Sequence, residues 1–161
     1  MISYRFQQPN NYDVNSKFKA VFIYNFTRYF DWPQQKKSGN FIIHVIGKND
    51  NLISELKSLA AKKKVGNQPI EIKNTSIFEN SGAQIYYIVG ESSKALSDAV
   101  SKSKSKGGLV VAENTGSCKQ GASINFVTVD NKLKFEYSKS NAIKAGLKTN
   151  DDFKALAINI D

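Results

Sequence analysis

His44 is the one histidine of the chain and Cys118 its one cysteine, so acid–base or thiol chemistry would have to be built on one of these two side chains. An imidazole works as a general base beside a nucleophile that a third group helps to orient, and no serine or cysteine stands in a nucleophile elbow. His44 instead interrupts the apolar run Phe41-Ile42-Ile43-His44-Val45-Ile46, the setting of a packed, hydrogen-bonded histidine, and an enzyme using it is the disfavoured reading. One His and one Cys cannot supply the ligands of a structural zinc site, and a lone cysteine closes no disulfide within the chain. Gly47-Lys48-Asn49-Asp50 stands where a phosphate loop would open a helix, yet neither G-x-G-x-x-G nor G-x-x-x-x-G-K-[ST] is present, so it reads as an ordinary strand-to-helix turn. Asp151-Asp152 falls at a helix start, where carboxylates favour the dipole. These residues give no catalytic set, no cofactor site and no metal site.

Cationic side chains are the other candidates. The 161 residues carry 23 Lys and Arg against 14 Asp and Glu, a formal charge of +9. All but Arg5 and Arg28 of the cations are lysines, strongly hydrated point charges rather than the planar fork that reads bases and phosphates bidentately. Lys62 to Lys64 and Lys102, Lys104 and Lys106 have no interleaved aromatics to act as stacking platforms, so they read as solvated helix ends and specific nucleic-acid binding is not expected. Asn25-Phe26-Thr27 and Asn74-Thr75-Ser76 fit the glycosylation sequon, the first inside a predicted helix. A hydrophobic share of 40% with 10 Phe and 7 Tyr excludes a disordered or collagen-like chain. No run of 18 apolar residues is present, and the start lacks the pattern of a signal peptide. The chain therefore reads as a cytosolic protein or as a mature secreted domain given without its leader.

The elements that would position these side chains follow from periodicity. Residues 1–12 are a polar lead-in, and 13–161 are expected to form one domain. Val14, Phe18, Val21, Phe22, Asn25, Phe26 and Tyr29 recur at helical steps behind Asp13 or Asn15 as N-cap, predicting a helix from about Asp13 to Phe30 with Phe18, Phe22, Phe26 and Tyr29 in the core. Phe41 to Ile46 reads as a strand covered on both faces, followed by a helix through Leu52, Ile53, Leu56 and Leu59. Strands are expected at Ile70 to Lys73, Ile85 to Val89 and Leu109 to Ala112, with a helix from Ala95 to Val100 that runs on to Lys106. Ile124 to Val129 and Leu133 to Tyr137 flank Asp130-Asn131, a two-residue hairpin signal. The tail reads as two short helices, Ser140 to Ala145 and Asn150 to Ile158, broken at Gly146. Strand–helix alternation followed by a hairpin predicts an α/β fold with a mixed, mostly parallel sheet, a C-terminal antiparallel hairpin and covering helices.

The most distinctive stretch joins Lys19 to Tyr24-Asn25-Phe26, Tyr29 and Asp31-Trp32-Pro33. Its aromatics read first as core packing, with Trp32 expected to be shielded at the helix exit. Later come Gly121-Ala122-Ser123-Ile124-Asn125-Phe126-Val127, Phe135-Glu136, and Ala145-Gly146-Leu147-Lys148 followed by Phe153, Leu156 and Ala157. In this order, over residues 14–158, the segments resemble the YfiR/HmsC-like family. Ala122 and Ser123 depart from the glycine-rich pair of many relatives, and the single Cys118 departs from any redox control built on an intramolecular disulfide.

The resemblance implies a small α/β protein of the Gram-negative periplasm, its leader missing from this sequence. It implies a non-enzymatic signalling regulator, often a homodimer, without a cofactor and not itself membrane-spanning. Its partner would be the periplasmic domain of a membrane signalling protein, in the leading reading a diguanylate cyclase, so that the regulator restrains cyclic-di-GMP signalling and biofilm formation. The alternative is a periplasmic small-molecule sensor, with its pocket beside Trp32, or an accessory domain for a histidine kinase. Tyr24, Asn25, Phe26, Tyr29, Asp31, Trp32, Pro33, Gly121, Asn125 and Phe126 are the motif residues expected at an interface or pocket.

Overall fold

The computed structural model describes residues 14–161, so the polar lead-in and the Asp13 cap lie outside the described residues. Helix α1 spans Val14–Phe26 and is shorter than its periodicity predicts. Two things end it. The Thr27 hydroxyl donates to the Tyr24 carbonyl at 2.7 Å, and the amides of Thr27, Arg28 and Tyr29 reach back only three residues, so the last turn tightens. Phe30 and Asp31 (β1) are then claimed by antiparallel pairing with Lys148 and Thr149 (β9), a partner no local pattern reveals.

The main sheet is built from β2 (Phe41–Ile46), β3 (Lys64–Val65), β4 (Gln68–Thr75), β5 (Ile85–Ile88), β6 (Leu109–Ala112), β7 (Ile124–Val129), β8 (Lys132–Tyr137) and β10 (Ile158–Asn159). Their spatial order is β10-β8-β7-β6-β5-β2-β4-β3. Pairing is parallel from β4 through β2, β5 and β6 to β7, and again between β8 and β10, whereas β7–β8 and β3–β4 are antiparallel. The expected fold class is therefore observed. Asp130 and Asn131 both take positive φ, +52° and +63°, the backbone of a type I′ hairpin turn.

Alternation along the strands divides the core. Ile43, Val45, Ile85, Tyr87, Val111, Ile124 and Phe126 join the cluster that includes Ala20, Ile23 and Phe26 of α1 and Leu52 and Leu56 of α2 (Asp50–Lys62). Ile46, Tyr86, Ile88, Val110 and Ala112 join the cluster of Ala95, Leu96 and Ala99 from α3 (Ser93–Ser103). Both α2 and α3 are capped by side-chain hydrogen bonds: Asn49 accepts from the Leu52 amide and Ser92 from the Ala95 amide. None of the described helices is long and apolar enough to cross a membrane.

Further expectations need correction: α3 ends at Ser103 rather than running on to Lys106. Phe18 is 51% exposed, because the face holding Ala20, Ile23 and Phe26 meets the sheet and turns Val14, Phe18 and Val21 outward. Phe22 and Tyr29 are half-buried at the margin of the core. In the tail, α4 (Lys139–Lys144) forms as expected, but Asp151–Leu156 is a 3₁₀ segment, and Ile158–Asn159 leaves helical geometry to extend the sheet beside β8.

Candidate functional site

Helical spacing puts Phe22, Asn25, Phe26 and Tyr29 on one side of α1, where they form a wall of an open groove of about 480 Å³. The opposite wall comes from Leu133, Lys134 and Phe135 of β8 and from Phe153, Leu156 and Ile158 of the tail. Its floor is an aromatic stack. Phe26 meets Phe135 at 5.1 Å, Phe153 at 5.5 Å and Phe126 at 5.9 Å between ring centroids, and Phe153 also touches Phe30 at 5.1 Å and Tyr137 at 4.8 Å. Phe26 on Phe126 is stacked and the other four contacts are edge-to-face; together they pack the floor while Leu156 and Ile158 stay exposed at the rim, beside the cations of Arg28 and Lys134. Such a groove can seat apolar side chains of a partner but offers no nucleophile or base.

The motif residues divide. Asn25, Phe26 and Tyr29 line the groove and Phe126 stacks beneath it. Tyr24 points elsewhere, its hydroxyl donating to the Lys64 carbonyl at 3.2 Å and its ring lying 5.9 Å from the Arg28 guanidinium carbon. Asp31 pairs with Lys37 at 2.7 Å on the surface. Trp32 is 6% exposed and is held by its indole N–H donating to the Gln84 carbonyl at 3.0 Å and by Phe41 packed edge-on at 5.0 Å, so its role is structural packing. Pro33 lies against Gly107, where an added Cβ would fall 2.5 Å from the Pro33 Cδ, so the glycine admits the proline. Gly121 takes φ +110° after the 3₁₀ turn Ser117–Gln120, and a Cβ there would fall 2.6 Å from a Val100 methyl. Asn125 is fully buried, its amide donating to Glu136 at 3.1 Å.

His44 is also fully buried. Its Nε2 lies 2.7 Å from the Thr75 hydroxyl, which itself donates to the Ile77 carbonyl at 2.6 Å. The threonine must then accept from Nε2–H, leaving Nδ1 to accept from the Ser81 hydroxyl at 2.8 Å. Burial, followed by the charge of Lys73, lowers the His44 pKa, with Glu79 opposing. A neutral, doubly bonded ring with a depressed pKa is a poor proton acceptor, as the sequence reading anticipated. Burial, with the carboxylates of Glu136 and Asp161, pushes the Cys118 thiol up to about 12, which leaves almost no thiolate at neutral pH.

The carboxyl ends of β2, β5 and β6, where open α/β sheets take ligands, hold a different arrangement. Glu113 accepts from the Tyr87 hydroxyl, from the Gly90 amide at 2.8 Å and from Lys19 at 3.0 Å. This carboxylate is thus neutralised by the lysine that opens the first motif and is tied to the ends of two strands. The sequence reading missed Glu113 and the groove residues Leu133 and Ile158. Beyond the first motif, Phe135 had a signal in the Phe135-Glu136 segment, and Phe153, Leu156 and Ala157 in the tail motif. Among the described residues, no cluster of His, Cys, Asp and Glu could hold a metal ion.

A search of curated proteins finds no match to the chain. A family model described as YfiR/HmsC-like matches residues 16–157, which takes in α1 from Ser16, the whole hairpin and the tail as far as Ala157. That extent shows that the chain belongs to the YfiR/HmsC-like family.

Proposed function

We propose that this protein represses a membrane-anchored diguanylate cyclase by binding the cyclase's periplasmic sensor domain, without chemistry of its own. The observation that carries this reading is the groove between α1 and β8, since family motif residues build its wall and floor and its rim leaves Leu156 and Ile158 exposed. Arg28 and Lys134 on that rim, with the net charge of +9, favour a partner surface of apolar side chains flanked by carboxylates. A repressor of this kind acts by population shift: it suppresses activity only as far as it binds the inactive sensor more tightly than the active one.

Deleting the gene should raise cellular cyclic-di-GMP, and a copy carrying a secretion leader should lower it again, whereas a leaderless copy should not. Leu156→Asp with Ile158→Asp, both at exposed positions, should keep the melting temperature and lose complementation. Unchanged cyclic-di-GMP in the deletion strain, with the cyclase expressed and functional, would sink this reading in favour of a small-molecule sensor or a histidine-kinase accessory. The expected homodimer has its own support in the outward Val14, Phe18 and Val21 stripe of α1. Sedimentation of Phe18→Glu against the parent chain tests it, and a parent that stays monomeric at high concentration refutes it.

A further inference from the structure

A second cavity, of about 360 Å³, lies on the opposite face of the sheet, between the end of α3, the 3₁₀ turn at Ser117–Gln120 and the end of α4. We propose that it binds a small organic phosphate, with the phosphate held among Lys104, Lys119 and Lys144 and the organic part against Val100, Val110 and Ala145. The three lysines come from three different segments and line one cavity, each with its side chain exposed to solvent at the rim. Among the described residues, none of the three makes an ion pair with a carboxylate. Unpaired cations around a concave wall focus positive potential into it.

Ser103 supplies an independent sign. It lines the cavity, is 2% exposed, and its hydroxyl has no hydrogen-bond partner among the described residues. The oxygen packs against Gly108, so it meets a bound acceptor after a rotation of the side chain toward the cavity, and a buried hydroxyl left unpaired costs free energy that such a contact would recover. Backbone acceptors that would repel an anion are already engaged, since the Lys144 carbonyl accepts from the Ser105 amide at 2.9 Å and the Ala145 carbonyl from the Gly107 amide at 2.6 Å. The Asn141 amide is likewise committed, to the Cys118 and Ala122 carbonyls at 2.7 and 2.9 Å. That leaves the lysines, Ser103 and the side chains of Ser101, Gln120 and Ser123 as donors on the cavity wall. The helix C-termini bring partial negative charge of roughly half a unit each, which three full cations outweigh. Three cations match a phosphate dianion better than a single carboxylate, and lysine is a natural point-charge partner for phosphate. The volume falls at the lower end of the roughly 300–1,000 Å³ typical of ligand pockets, which sets the size at a single ring or a few carbons.

The test is a titration of the ¹⁵N-labelled protein with phenyl phosphate, benzoate and inorganic phosphate in moderate salt, which screens loose surface binding. Phenyl phosphate should give saturable amide shifts confined to residues 100–110, 117–123 and 141–146, and should bind at least tenfold more tightly than either other probe. Lys119→Ala with Lys144→Ala, at exposed positions, should weaken it at least tenfold, and Ser103→Ala about threefold. Lys62→Ala with Lys63→Ala, which removes the same charge far from the cavity, should change it less than twofold. Shifts that never saturate, that scatter over other lysine-rich surfaces, or that weaken equally in the two double variants would overturn the proposal.

Discussion

Phe26→Ala is the sharpest perturbation of the core, because Phe26 joins α1 to both the hairpin and the tail. The ring is 2% exposed and packs on Phe126, Phe135 and Phe153 with centroids 5.1–5.9 Å apart. Truncating a buried phenylalanine costs about 3–5 kcal/mol through lost transfer energy and the cavity left behind. Three ring pairs lost together, each contributing about 0.5–1.5 kcal/mol beyond burial, put this site toward the upper end. For a domain of this size, that corresponds to a fall in melting temperature of roughly 6–20 °C. Ile77→Ala is the internal control: its side chain is 69% exposed and lies outside the α1 stripe, so the change should stay within about 0.5 kcal/mol. Urea unfolding followed by far-UV circular dichroism compares the two at equal helix content. A loss below about 1 kcal/mol for Phe26→Ala, or equal losses at the two positions, would refute the packing described here.

The pKa of His44 is lowered on folding, so the unfolded chain binds the proton more readily; its contribution to stability is intact above about pH 6.5 and is lost as pH falls from there toward the depressed folded value. Urea midpoints between pH 7.5 and 5.5 should therefore fall more steeply for the parent than for His44→Asn, and parallel pH profiles would contradict this. Cys118, buried with its thiol pushed up to about 12, should resist iodoacetamide in the folded protein and react promptly in denaturant; rapid native labelling would show that the site opens. Asn131→Val forces a β-branched residue into φ +63° and should destabilise by about 1–2 kcal/mol in a thermal melt, whereas Asn131→Gly should not destabilise.

What the sequence disclosed was what is decided locally. The apolar run of β2, broken only by His44, and the Asp130-Asn131 turn each contain their own explanation, and both occur where periodicity and turn chemistry put them. The end of α1 was not legible, because Phe30 and Asp31 continue a helical pattern and leave it only to pair with Lys148 and Thr149. Phe18 carries the same apolar signal as Phe26, and only the angle at which α1 meets the sheet decides which of them is buried. The groove was half legible for the same reason: its α1 wall is a continuous motif, while Leu133 and Ile158 reach it through strand pairing that no short spacing encodes.

Phe153 sets the order of events when the chain is made. Its ring closes against Phe26 and Phe30 from the first part of the chain and against Phe135 and Tyr137 from the last strands. A nascent chain emerging amino end first therefore presents the aromatic face of α1 long before its cover exists. Contacts of such sequence separation are slow to form, and the apolar surface stays open in the meantime. Closure of the core is consequently a late step that follows release of the residues around Phe153. Until then that apolar surface is open to a holding chaperone or to aggregation.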